Sequence, residues 1–362
     1  MKNSKRGLVV AIAAAVILCL SLARAAATSV QRDTARMIPL PELEHPRQIC
    51  VEGGRVYILD ARDIIVYDLK DGRLLMRIGR GGQGPGEFTM GPGRLAVFPD
   101  RLVIEDFHKI MRFNLDGKYL DQIMEPGYLK RLAFLPVGNN FVGFSMRRRN
   151  DGTLAPAVGC VYDKDLKLIK EFYGALPPGP PPPPAPGSPP PAKKEDVLLV
   201  RDYVDYAIFE NKIFVADSRK GIFISVFDEN GVLLREIRHP AEKVKIPKSY
   251  FEAALKERQK SKYWEISKAS FNFIEADYFP AMAGFKIDGG RIYIITPAEK
   301  GGFYEVIVMD LEGRVQETSF RFPLKPNFAV LESFALTYDV ENDAFVWFDY
   351  NDAKETYELH IR

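Results

Sequence analysis

The sequence predicts an all-β fold, a six-bladed β-propeller with four-stranded antiparallel blades, and three observations predict it. One phrase returns six times: an apolar strand, a short turn, a second apolar strand, then a polar hairpin. Asp-Gly or Asn-Gly pairs punctuate three of those hairpins, and Glu-Gly a fourth. The last copy also runs out one strand short, while a strand-like segment stands unassigned near the N-terminus.

Taken in order, the copies start at Arg55 (RVYILDARDIIVYDLKDGRLLMRIG), Arg101, Asn140, Lys212, Arg291 and Ala344. In the first, Val56, Ile58 and Asp60 alternate with Tyr57, Leu59 and Ala61, and both sets are largely apolar. That pattern suits a strand covered on both faces by neighbouring sheets. Equivalent positions are Val56, Leu102, Phe141, Ile213, Ile292 and Phe345, spaced 46, 39, 72, 79 and 53 residues apart. A plain blade takes about 40–45 residues, so the two longest gaps carry insertions.

Hairpins between third and fourth strands are expected at Asp71-Gly72, Asp116-Gly117, Asn230-Gly231 and Glu312-Gly313, with Asp163-Lys164-Asp165 serving the third copy. The sixth copy ends at Arg362 after three strands. Its missing outer strand is expected from Ala35 to Leu40, which closes the ring and leaves no open edge.

Residues 1–25 read as a secretory signal peptide: Lys2, Lys5 and Arg6, an apolar run from Leu8 to Ala23, then Ala23-Arg24-Ala25 at a cleavage site. The run is shorter than the roughly 20 residues of a membrane span, so a retained anchor is the lesser alternative, and Leu18 before Cys19 argues against lipidation. The expected location is periplasmic or secreted. Residues 26–362 form one propeller domain. Without the four basic residues of the leader, 46 Lys and Arg face 48 Asp and Glu, a net of −2. Attraction to nucleic acid has no support in that balance. Cys50 and Cys160 fall on blades that are not neighbours, too far apart for a disulfide, and read as small apolar residues.

Ile78 to Phe88, IGRGGQGPGEF, resembles the blade junction of bacterial six-bladed β-propellers related to NHL-repeat proteins. The resemblance implies an exported or extracellular binding scaffold. The residues themselves describe a tight turn, with Glu87 accepting backbone hydrogen bonds and Phe88 plugging between blades. A phosphate loop is excluded by the lack of a Gly-Lys-Ser/Thr ending.

Connections from an outer strand to the next inner strand emerge on the same face as second-to-third strand loops. The Arg80–Phe88 loop, the proline-rich insertion at 176–194, the helical insertion at 240–275 and the loop Arg147 to Pro156 therefore share one face. Loops on a rigid scaffold concentrate function. The proline tract is an extended spacer or a ligand for an aromatic groove. From Lys248 a helix is expected, with Phe251, Ala254 and Leu255 as its apolar stripe. Candidate ligand-binding residues are Arg80, Glu87, Arg147, Arg148, Arg149, Lys256, Lys260, Tyr263 and Trp264, charged and aromatic residues on that face. Against this stands a rim-packed helix with solvated lysines.

No catalytic motif emerges. His45, His108, His239 and His360 lack metal-ligand spacing, and a Gly-x-Ser-x-Gly elbow is missing. Asp60, Glu105, Asp106 and Asp217 either cap strand ends or line the channel as calcium ligands, and capping is the preferred reading. The expectation is a binding module for a protein, peptide or anionic ligand on the insertion-bearing face, with no cofactor. The rival is a calcium-dependent hydrolase or lyase at the channel mouth.

Overall fold

The chain begins by completing its own last blade: β1 (Arg36–Leu40) pairs antiparallel with the final strand, Arg36 opposite Ile361 and Leu40 opposite Tyr357. The computed structural model describes residues 35–106, 109–124, 130–146, 158–174, 194–260, 264–330 and 334–362. The leader, the proline tract, the loop Arg147 to Pro156, His108 and Tyr263 lie outside the described residues.

Blade 1 is β2 (Gln48–Glu52), β3 (Arg55–Leu59), β4 (Ile64–Asp68) and β5 (Leu74–Ile78). Blade 2 is β6 (Arg94–Phe98), β7 (Arg101–Asp106), β8 (Lys109–Phe113) and β9 (Tyr119–Met124). Blade 3 is β10 (Lys130–Val137), β11 (Asn140–Met146), β12 (Val158–Tyr162) and β13 (Leu168–Tyr173), followed by a short extra strand β14 (Glu195–Leu198). Blade 4 is β15 (Val204–Phe209), β16 (Lys212–Asp217), β17 (Ile222–Phe227) and β18 (Leu233–His239). An insertion then supplies α1 (Lys248–Gln259), α2 (Trp264–Ser270) and β19 (Phe271–Ile274). Blade 5 is β20 (Gly284–Asp288), β21 (Arg291–Lys300), β22 (Phe303–Asp310) and β23 (Val315–Phe322). Blade 6 is β24 (Tyr338–Glu341), β25 (Ala344–Asn351), β26 (Thr356–Ile361) and the returning β1.

Every blade is an antiparallel meander of four strands. Inner strands meet around the axis: β2 touches β24 and β6, β15 touches β10 and β20, and β20 touches β24. The six-bladed ring, its four-stranded blades and its N-terminal closing strand are therefore as the repeat predicts. The second and third strands are almost wholly buried, because each blade presses both faces on neighbours. Core clusters accordingly span blade boundaries. Tyr57, Val66 and Ile78 of blade 1 pack with Phe88, Ile104 and Met111.

Glycine in the third-to-fourth hairpins answers to packing as well as to turn geometry. Gly72 has φ +71°, and a Cβ there would strike the Ile38 side chain of β1, so the first hairpin rests against the closing strand. Gly117, Gly231 and Gly313 meet Ile78, Phe172 and Ile237 of the preceding blade's outer strand in the same way. In blade 3 the turn instead places Leu166 at φ 60°, buried to 1% exposure. Neither Cys50 nor Cys160 is in a disulfide. No helix among the described residues is long and apolar enough to cross a membrane.

Candidate functional site

The aspartates at the ends of second strands fasten incoming loops. Asp60 accepts from the Glu44 and His45 amides at 2.9 and 2.5 Å. Asp106 accepts from those of Thr89 and Met90 at 2.7 and 3.3 Å. Asp217 accepts from the Tyr173 hydroxyl at 2.6 Å and pairs with Arg219 at 2.8 Å. Burial opposes ionisation of Asp217, yet the hydrogen bonds of Arg219 and Tyr173 hold its carboxyl below the usual range. Asp60, Asp106 and Asp217 thus fasten loops, the capping reading preferred from the sequence, while Glu105 lies in β7 opposite Arg94 of β6. Among the described residues no group of three or more His, Cys, Asp or Glu is arranged to hold a metal ion.

Arg80 and Glu87 clasp each other across the blade 1–2 junction, the guanidinium 2.7 Å from Glu87 Oε1. Glu87 Oε2 accepts from the Gly84 amide at 2.8 Å, and that bond, followed by Arg80, holds its carboxyl low. Phe88 is 1% exposed between blades 1 and 2. Arg80 itself is largely in solvent.

Lys256, Lys260 and Trp264 sit on the helical insertion, between blades 4 and 5 and so across the ring from Arg80. Pro247 precedes α1 in extended conformation and sets its start. Phe251, Ala254 and Leu255 are half-buried, as the stripe predicts, and no residue of α1 is fully buried. Lys256 is exposed, and Lys260 pairs with Glu257 at 2.5 Å. Trp264 stacks on Phe273 at 5.7 Å, and Arg258 lies over the same ring at 4.8 Å.

The insertion is built into the face it rises from. Its two legs pair through Lys245 and Tyr278 and through Ile246 and Asp277. Tyr250 packs edge-on against Phe279 and Phe328, and its hydroxyl accepts from the Phe328 amide at 2.9 Å. β19 runs parallel to β14, Glu195 opposite Phe271 and Leu198 opposite Ile274. Three connections, into blades 4, 5 and 6, are thereby joined in one cap.

Inside the ring a cavity of about 190 Å³ is walled by the inner strands. Four charged residues line it: Arg94 of β6, Asp205 of β15, Lys286 of β20 and Asp339 of β24. All four occupy the first three positions of their strands, the ends nearest the capped face. Lys286 Nζ is 3.7 Å from Asp339 and 5.1 Å from the Tyr338 ring centroid. Gln48 joins β2 to β6 by accepting from the Leu95 amide at 2.9 Å and donating to its carbonyl at 2.6 Å. Burial pushes the neighbouring Cys50 thiol up to about 12, so it stays protonated and unreactive at neutral pH. The sequence reading missed this charged layer. Its signal was a charged residue within the first three positions of each of four short inner strands.

A family model described as a 6-bladed beta-propeller matches residues 41–180, the loop before blade 1 through blade 3. No curated protein matches the chain. Among solved structures, the luciferin-regenerating enzyme is 11% identical over 91% of this chain and 95% of its own, with a TM-score of 0.39. The Neurospora crassa Pan2 WD40 domain is 9% identical over 88% of each chain, again with a TM-score of 0.39. At that distance neither likeness bears on function. Fold and comparison meet at one statement: the chain is a six-bladed β-propeller, similar over its first half to the family of that description.

Proposed function

We propose that the chain is an exported binding module that recognises a protein or peptide partner, acidic in character, on its capped face. The propeller fold commonly serves protein interaction, and rigid rings with elaborated loops present broad recognition surfaces. The single observation that carries the reading is the cap. The ring closes through β1 and needs neither helix, yet three connections are interlocked over one face and present Lys256 and Lys260 outward. Leader composition supports export. The resemblance of Ile78–Phe88 to NHL-related junctions agrees with a scaffold role.

The test is chemical cross-linking from envelope and secreted fractions with three proteins: the intact chain, Lys256→Glu/Lys260→Glu, and a control reversal at Lys164 on the blade 3 hairpin. One species captured by the intact chain and the control, and lost with the double reversal, supports the reading. Equal capture by all three, or none, overturns it.

A further inference from the structure

The central cavity shows an imbalance between its hydrogen-bond donors and acceptors. Its carboxylates are already occupied by the wall. Asp205 accepts from the Tyr203 hydroxyl at 2.5 Å through Oδ2 and from the Tyr206 amide at 2.8 Å through Oδ1. Asp339 Oδ2 accepts from the Val51 amide of the next blade at 2.8 Å. Both polar atoms of Gln48 are bound to Leu95.

The cations are not so occupied. Arg94 Nε is shielded from solvent and has no hydrogen-bond partner. Lys286 approaches Asp339 only to 3.7 Å, beyond a normal hydrogen bond. A buried donor left unmade is unfavourable, more so when charged, so a guest that supplies acceptors is favoured.

We propose that this cavity binds a small organic carboxylate. The guanidinium of Arg94 presents a planar fork that fits the two carboxylate oxygens, and Lys286 is a second positive anchor. Charge decides between a carboxylate and a phosphate. Arg94 and Lys286 are offset by Asp205 and Asp339, and Glu105 opposite Arg94 adds a further negative charge beside the cavity, so a guest of low charge is preferred and a monoanion is favoured over a dianion. Size and lining complete the fit. The cavity equals about six waters' share of liquid volume. Leu95, Phe285, Ile287 and Leu336 give apolar wall for a short hydrocarbon body. The site goes beyond partner docking on the cap and does not depend on it.

Calorimetry and thermal unfolding of the full chain with sodium butyrate, benzoate, phosphate and chloride at matched ionic strength test the assignment. Butyrate or benzoate is expected to bind and raise the unfolding midpoint, with phosphate and chloride inert. Arg94→Gln is expected to weaken binding at least about tenfold, and Arg94→Lys, which keeps charge but loses the fork, by a comparable factor. Lys256→Glu/Lys260→Glu is expected to leave it unchanged, which separates this site from the cap. Should the Arg94 variants fail to fold, phenylglyoxal labelling of the native chain reads the same contact, since bound carboxylate protects Arg94 in peptide mass spectra. Phosphate binding as well as the acids, acid binding retained in Arg94→Gln, or the absence of both binding and protection overturns the proposal.

Discussion

Gly72 shows how a single residue answers to two constraints. Its φ of +71° disfavours any L side chain, and the Ile38 side chain fills the place a Cβ would take. Gly72→Ala is therefore expected to lower unfolding free energy by about 2–3 kcal/mol, read from a urea melt. The Asp-Gly pair made the turn legible in sequence. Its contact with the closing strand was not legible, because it arises only once β1 has taken its place as the outer strand of blade 6, beside blade 1. His360 is a second residue with a measurable signature. It stacks on Trp347 at 5.0 Å, and burial lowers its pKa against the opposing pull of Asp349 and Glu358. A folded-state pKa below the unfolded value of about 6.5 gives stability that is full above that pH and lost as pH falls below it. Unfolding midpoints are expected to drop as pH falls below about 6.5, and His360→Gln to flatten part of that drop. With Trp264→Phe in the background, Trp347 emission reports the titration directly.

At the scale of elements, the closing strand and the cap had opposite fates in the sequence. The closing strand was readable, since a sixth blade with three strands leaves one edge to fill and MIPL alternates correctly. In the structure Leu40 is fully buried and Ile38 nearly so. Leu40→Ala is expected to cost about 3 kcal/mol. Deleting residues up to Leu40 is expected to bare β26 and produce association through that edge, visible in light scattering. The first helix of the cap was readable from Pro247 and the Phe251–Leu255 stripe, whereas the short α2 was not expected. The parallel pairing of β14 with β19 was not. EDVL and FNFI are four-residue segments far apart in the chain, with no turn signal to relate them. Tyr250→Phe removes only the bond to the Phe328 amide. It is expected to speed amide exchange at Phe328 while leaving the blades' exchange rates unchanged.

For the whole molecule, ring and face were legible while the charged interior was hidden. Six apolar copies fix the number of blades, and connection lengths show which face is elaborated. The inner strands RLAVF, VDYAIF, GFKID and YDVE are too short to show periodicity, and nothing in sequence says that Arg94, Asp205, Lys286 and Asp339 converge. Closure does that, since each comes from a different blade. Replacing residues 246–277 by a short Gly-Ser linker between the paired legs Lys245 and Tyr278 is expected to preserve the β-sheet circular dichroism and abolish capture of the partner.

Pairing Arg36 with Ile361 also sets a timetable. β1 waits for β26, so five blades can assemble as the chain lengthens, yet none of them can seal the circle. A chain that stops anywhere before Thr356 has no edge for β1 to join, and β25 stays open. Sealing of the ring is thus tied to β26: only when it is in place is the last blade without a loose edge, and until then β25 stays exposed to pairing with other chains.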